Sequence, residues 1–306
     1  MRQERNNLTE TKCAICNTSG NSEVVYEANV TLAEIDQATF SARRMPDRKT
    51  NQWVKCRTCG LFRSDPVLKI NLSEIYHESK FEYSSEIYGL SRTYRRLLKI
   101  ASKNIEPSKS NVLEIGGGNG FALYEAKKLG FMGITGVEPS QDAINQAPQE
   151  ISSRMIKSIF SSKLVNEGSQ DLVFAMHVFD HVPEPADFLA NIRTSLAPKG
   201  VLLLAVHNVN SFSANILKSA SPIIDVEHTY LYGKKTLKLI VAQAGFEDIK
   251  VSNYPNLYSL EYLLQLVPFK LPIKIMNLLR KVGILKIKIW IRLGNIYVLA
   301  TKTAID

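Results

Sequence analysis

The stretch VLEIGGGNGFALYEAKKLG, residues 112–130, constrains this chain more than any other. An apolar run ends at Ile115, four glycines fall within the next five positions, and a run of helix formers follows at once. Glycine tolerates positive φ and carries no Cβ. A strand–turn–helix built this way therefore exposes main-chain amides at the carboxyl end of a strand, where α/β proteins hold their ligands. Taken alone, the glycines are equally compatible with a tight turn that holds nothing.

The surrounding pattern sets the fold. Strands are expected at 111–116, 133–137, 154–157, 171–176, 200–207, 247–253 and 295–302, with helices at 120–130, 140–148, 184–197 and 234–245. Strands alternating with helices of this length predict an α/β, doubly wound, mostly parallel seven-stranded sheet of Rossmann-like type. The last two strands lack a long crossover, so one of them is expected to run antiparallel. The division reads as a four-cysteine module over 1–65, a helical connector over 66–110, and the α/β core over 111–306 with a basic, apolar insert at 254–292.

A second acidic signal accompanies the glycines. GVEPS ends a strand at Glu138, 18 residues after Gly120, where a carboxylate is placed to accept bonds from two ribose hydroxyls. Glu114 stands two residues before Gly116, giving E-x-G-x-G-x-G (Gly116, Gly118, Gly120). The dinucleotide pattern G-x-G-x-x-G places its third glycine differently, to seat a pyrophosphate.

VLEIGGGNG, GVEPS and DLVFAMHVFDHVPEPADFLANIRTSLAPKGVLLLAVHN, in that order, resemble the motifs of the class I S-adenosylmethionine-dependent methyltransferases. The resemblance spans about residues 75–253 and the final strand, and it implies S-adenosylmethionine as cofactor. By the same resemblance Gly116, Gly118 and Gly120 border its amino-acid part, with Glu114 orienting loop and amino group. Glu138 would hold the ribose, and Ile159 and Phe160 would flank the adenine. Met176 and His177 close the strand that begins at Asp171, at its ligand-bearing end. His181, on the next turn, is either a structural histidine tying that loop to the backbone or a proton acceptor.

All four cysteines lie early, as CAIC (Cys13, Cys16) and CRTC (Cys56, Cys59). Two such pairs supply four thiolates from two turns, the donor set of a closed structural Zn2+ site, whereas disulfides are the poorer account for a chain expected in the cytoplasm. An N-terminal four-cysteine module before this core resembles the deoxysugar C-methyltransferases and related glycan and natural-product enzymes. That resemblance makes Tyr76 and Tyr83 candidates for contacting cofactor or substrate, and Glu227–His228 the candidate base pair. The long C-terminal domain of the sugar enzymes has no counterpart before Asp306, so O-methylation stands beside C-methylation. The expected acceptor is a small molecule or a sugar; alternatives are a non-sugar small-molecule acceptor, or a binding protein that keeps a vestigial pocket.

The net charge of +9 is concentrated. Residues 262–304 hold eight of the 38 basic residues and no acid, leaving 30 basic against 29 acidic residues elsewhere. A uniformly basic, nucleic-acid-binding surface is therefore not expected. No signal peptide is visible and no apolar run is long enough to span a membrane. In the insert, Leu271, Ile275, Leu278, Leu279 and Val282 share one helical face and Lys270, Lys274 and Lys281 another. KIKIWIR alternates with period two, as a strand does. The insert reads as a cap over the site, a dimer contact or a peripheral membrane contact; the oligomeric state stays open.

Overall fold

The computed structural model describes residues 8–31, 49–68, 75, 77, 86–266 and 272–304. Tyr76, Tyr83, Lys270 and Leu271 lie outside the described residues. The N-terminal part holds short strands β1 (Leu8–Thr9), β2 (Ser22–Tyr26), β3 (Trp53–Cys56), β4 (Phe62–Ser64) and β5 (Val67–Leu68). Helix α1 (Ile87–Ala101) leads into the core: β6 (Asn111–Ile115), α2 (Phe121–Lys128), β7 (Gly133–Glu138), α3 (Gln141–Asn145), α4 (Gln149–Ser152), β8 (Met155–Lys157) and β9 (Gln170–Met176). Then follow α5 (Pro185–Ser195), β10 (Leu196–His207), α6 (Phe212–Leu217), β11 (Tyr230–Leu231), α7 (Lys234–Gln243) and β12 (Phe246–Asn253). The chain continues through β13 (Asn256–Ser259), α8 (Leu260–Leu266), α9 (Ile273–Lys281) and β14 (Lys288–Ile291) to β15 (Asn295–Lys302).

Seven strands form the main sheet in the order β12-β15-β10-β9-β6-β7-β8. The pairs β10–β9, β9–β6, β6–β7 and β7–β8 are parallel, and β15 runs antiparallel to both its neighbours. The doubly wound, mostly parallel seven-stranded sheet is thus present, and β15 is its reversed strand. Strands buried on both faces need apolar residues at odd and even positions alike. Consecutive residues divide accordingly: Leu113, Val173 and Leu204 enter the core on one face, Val112, Leu172 and Leu203 the core on the other. Helix α1 covers the second face with Leu90, Tyr94, Leu97, Leu98 and Ala101, a helical i, i+4, i+7, i+8, i+11 stripe. Chain order reverses between β6 and β9, so the loops leaving their carboxyl ends diverge and open a crevice.

Three elements differ from the expectation, each for a local reason. The helix expected over 140–148 splits into α3 and α4 because Pro148, with no N–H to give, caps α4 instead of continuing α3. Strand β10 begins at Leu196, pairing with Gln170 before a register shift centred on Lys199, whose φ is +62°. The insert contains α8, α9 and an antiparallel ribbon β13–β14, in which KIWI forms the outer strand.

The N-terminal unit is stitched into the core. Strands β2, β3 and β4 form a four-stranded sheet whose edge is β11, contributed from beyond β10, with Arg63 opposite Tyr230 and Phe62 opposite Leu231. Cys13, Cys56 and Leu61 pack into the same apolar cluster as Leu204 and Leu237. Arg63 is fully buried and spends its guanidinium on Thr11 Oγ1 (3.1 Å), Ser22 Oγ (2.7 Å) and Asp65 Oδ2 (3.0 Å). Removing one partner of a buried ion pair strands the other charge, at about 3–5 kcal/mol. Asp65→Ala is therefore expected to lower unfolding stability by about 3 kcal/mol, read as a shifted denaturant midpoint at unchanged slope. A change below about 1 kcal/mol would show that Arg63 does not depend on this carboxylate.

Candidate active site

Beyond Ile115 the chain makes a turn that only glycine accommodates well. Gly116, Gly118 and Gly120 have φ of +69°, +52° and +71°. A Cβ on Gly116 would stand 2.4 Å from Val178 Cγ2, and one on Gly120 2.3 Å from Ile151 Cγ2. These two glycines are therefore demanded by the protein's own packing, whatever lies in the crevice. The N–H of Gly118 donates to Glu138 Oε2 and that of Ser140 to Oε1, both at 2.8 Å. Glu138 thus fixes the glycine loop to the end of β7. Burial pushes its carboxyl up to about 7, against the pull of those two bonds. Glu114 is buried one residue before the end of β6, and its Oε2 has no hydrogen-bond partner. Burial raises its carboxyl well above the usual range, and the neighbouring Glu138 adds to the rise.

Two enclosed carboxylates flanking a loop of bare main chain favour a cationic guest. The sulfonium and ammonium of S-adenosylmethionine fit that charge pattern, and its hydroxyls and amino group suit the acceptors, whereas a pyrophosphate would meet like charge. The adenine-side candidates sit at the same end of the sheet. Ser158 N–H donates to the Glu138 carbonyl at 3.2 Å, Ile159 is 46% exposed, and Phe160 packs edge-on against Phe188 at 5.9 Å. Met176 is buried at the end of β9.

Beyond the carboxyl ends of β9 and β10, four of the chain's five histidines converge. His177 follows β9 in a left-handed conformation (φ +56°), with its N–H on the Ala205 carbonyl and Nε2 2.9 Å from the Tyr254 hydroxyl. Its ring lies 4.4 Å from that of His207, which lies 5.2 Å from His228, itself 4.6 Å from His181. Asp180, fully buried, accepts the His207 N–H at 2.9 Å through Oδ2, while its Oδ1 has no hydrogen-bond partner. Burial lifts this carboxyl to about 8. Burial also pushes His181 down to about 4 and, with the surrounding histidines, holds His228 well below the usual range. Both imidazoles are therefore neutral near pH 7. His181 Nδ1 donates to the Glu227 carbonyl at 3.1 Å, so it is the backbone of Glu227 that meets this ring. His228 is buried and its Nδ1 has no hydrogen-bond partner.

Sequence reading singled out His181, Glu227 and His228 and missed the roles of Asp180, His207, Tyr254 and Asn295. A signal existed for one of them: His207 ends the apolar run of β10 just as His177 follows that of β9, and the two strands are parallel neighbours. Asn295, bonded to His207 Nδ1 at 3.1 Å, comes from 88 residues away and carried no such mark.

The histidine loop hangs from the cysteine unit. Ser64 donates its N–H to the Thr229 carbonyl and its hydroxyl to the His228 carbonyl, at 2.9 and 3.0 Å. Val226 N–H donates to the Lys49 carbonyl, and Tyr230 OH to that of Lys12. In that unit the sulfurs of Cys13, Cys16, Cys56 and Cys59 all lie within 4.8 Å of one another, with Cys13–Cys59 at 3.4 Å and Cys16–Cys56 at 3.9 Å. Tetrahedral Zn2+ with bonds of about 2.3 Å holds its sulfurs about 3.8 Å apart. Burial raises the Cys56 thiol, but N–H donors from Cys59 and Thr58 outweigh it and bring it down to about 7. The donor set fits the metal.

The fold and this crevice are those of a Rossmann-like methyltransferase domain. Residues 86–251, more than half of the chain, match the family described as a methyltransferase domain; the chain belongs to that family and carries an S-adenosylmethionine-dependent methyltransferase domain. Among curated proteins it is similar to tRNA U34 carboxymethyltransferases. One from Pseudoalteromonas translucida is 25% identical over 158 residues, covering 49% of each chain, and one from Vibrio atlanticus is 24% identical over 156 residues, covering 48% of each. The chain spans about half the length of these relatives. A similar solved structure is phosphoethanolamine N-methyltransferase 2 of Haemonchus contortus (TM-score 0.50, 15% identity, 78% of this chain and 62% of that one). Another is a chain from the complex of the Haloferax volcanii Trm112 methyltransferase activator with a methyltransferase (TM-score 0.50, 13% identity, 72% and 94%). Likeness at this level concerns the fold alone.

Proposed function

We propose that this protein transfers the methyl group of S-adenosylmethionine to an oxygen or carbon of a small, polyhydroxylated acceptor, a sugar or nucleotide sugar, in glycan or secondary-metabolite assembly. The observation that carries this reading is the presence, at the carboxyl ends of neighbouring parallel strands, of both the carboxylate-flanked glycine loop and a histidine cluster in which burial keeps His181 and His228 neutral. An acceptor hydroxyl or acidified C–H must lose its proton as the methyl arrives, and a neutral imidazole is a competent acceptor. A wall of imidazole, phenol and amide groups also suits a polyol better than an apolar guest.

Glu114, Gly116, Gly118 and Gly120 would hold the amino-acid part of the cofactor, Glu138 its ribose, and Ile159, Phe160 and Met176 its base and sulfur side. When bound, S-adenosylmethionine supplies an electrophilic methyl on a sulfonium. His228 takes the acceptor's proton, with His181 as its neighbour and Asp180 holding the two loops in register. Cys13, Cys16, Cys56 and Cys59 would hold a structural Zn2+, whose contribution would be to folding rather than to methyl transfer.

Three measurements test this. Calorimetry with S-adenosylmethionine should give micromolar affinity that strengthens from about pH 6 to 8. Binding needs the Glu138 carboxylate ionised, and below about 7 each pH unit costs up to about tenfold. Glu138→Ala should weaken binding by about tenfold at the upper end and reduce that slope; no binding by the native protein ends the reading. A methyl-transfer screen over nucleotide-activated sugars should find turnover that His228→Ala lowers about 100-fold with cofactor affinity kept; turnover unaltered by the substitution removes His228 from the chemistry. Elemental analysis should find about one zinc per chain, lost with a fall in melting temperature in Cys13→Ser, and metal-free native protein of full stability rules the site out.

A further inference from the structure

The insert leaves an apolar face uncovered among the described residues. Helix α9 has no buried residue, and Ile273, Leu278 and Val282 are 67%, 60% and 57% exposed. The chain continues in the same manner through Ile284, Ile287 and Trp290, each at least 40% exposed. These side chains sit among Lys274, Lys281, Lys286 and Arg292, all exposed, and no carboxylate occurs from residue 262 to 304. The acid that does approach, Glu261, is engaged by Arg280 at 2.7 Å.

From this face we propose that the protein docks peripherally on an anionic lipid bilayer through α9 and the adjoining β14. Large apolar side chains enter the boundary between headgroups and acyl chains, while lysines reach back to the anionic headgroups along their flexible stems. Each cation near such a surface adds attraction, and the apolar area adds the rest. A second copy is the poorer occupant: a two-fold interface apposes the same patch on both partners, which here sets cation against cation, with the adjacent Glu261 already engaged by Arg280. Helix α9 is nine residues long and lies along the surface; no helix among the described residues is long and apolar enough to cross a membrane.

The docking face is mechanically joined to the crevice. Strand β14 pairs with β13, Leu257 N–H donates to Thr93 Oγ1 on α1 at 3.1 Å, and Tyr254, two residues before β13, bonds His177. A docked protein would therefore present its acceptor side in fixed relation to the bilayer.

The test is co-sedimentation of the full chain with vesicles, a readout independent of methyl transfer. Binding is expected to phosphatidylcholine–phosphatidylglycerol vesicles and to be about tenfold or more weaker on phosphatidylcholine alone and at high salt. Leu278→Glu/Val282→Glu, at exposed positions, should abolish binding with the melting temperature unchanged. Absence of sedimentation, equal binding to neutral vesicles, or retention by the double variant overturns the proposal. So does a concentration-dependent dimer in solution that the same variant dissolves, which would make the face a contact between copies.

Discussion

Glu138 does two jobs with one carboxylate, and the crevice depends on both. Its oxygens accept the N–H groups of Gly118 and Ser140, joining the turn after β6 to the turn after β7. Gly116 and Gly117 donate their N–H groups to the Val137 carbonyl and Gly120 donates to that of Gly117, while the Glu138 carboxylate braces Gly118 between them. Burial works against keeping a negative charge there, and Glu114 sits nearby with an unpartnered oxygen. An enclosed site of this kind has electrostatic tension that a positive guest relieves. On the proposed reading, a preference for a sulfonium over a pyrophosphate would follow from desolvation, before any shape argument is made.

The histidine cluster is assembled differently. Its histidines come from the loop after β9, the end of β10 and the link into β11, three segments brought together because β9 and β10 are parallel neighbours and β11 leaves the core. The last of these is held by the cysteine unit, since β11 is an edge strand of that unit's sheet and Ser64 bonds the His228 carbonyl. A metal held by the four sulfurs would therefore steady the histidine loop from a distance without touching the acceptor.

What could be read from the sequence follows how local each interaction is. The core strands came through because burial on both faces forces continuous apolar runs such as VLLLAV, and period is a local property. Gly116, Gly118, Gly120, Glu114 and Glu138 were legible because one strand–turn–helix and the next strand contain them all. The sequence suggested that a ligand stripped the side chains from the turn; at Gly116 and Gly120 the nearer cause is Val178 and Ile151. The joining of the cysteine unit to the core was not legible, because Tyr230–Leu231 pairs with residues some 170 positions earlier and two-residue strands leave no periodic trace. Nor was the Asp180–His207 bond, in which a carboxylate meets a main-chain N–H that any residue would offer.

Charge separates the two ends of the molecule's chemistry. Outside 262–304 the chain is nearly balanced, and two of its buried carboxylates, Glu114 and Glu138, flank the glycine loop. Eight of the nine surplus positive charges lie in that segment and coincide with the apolar side chains that found no core. A soluble surface helix normally turns its apolar stripe inward; α9 instead keeps such side chains in contact with solvent beside lysines. Exposing that area costs free energy in water at roughly 25 cal/mol per Å2, so its persistence calls for a surface that covers it. An anionic bilayer answers both halves of the pattern, taking up the apolar side chains and neutralising the cations around them.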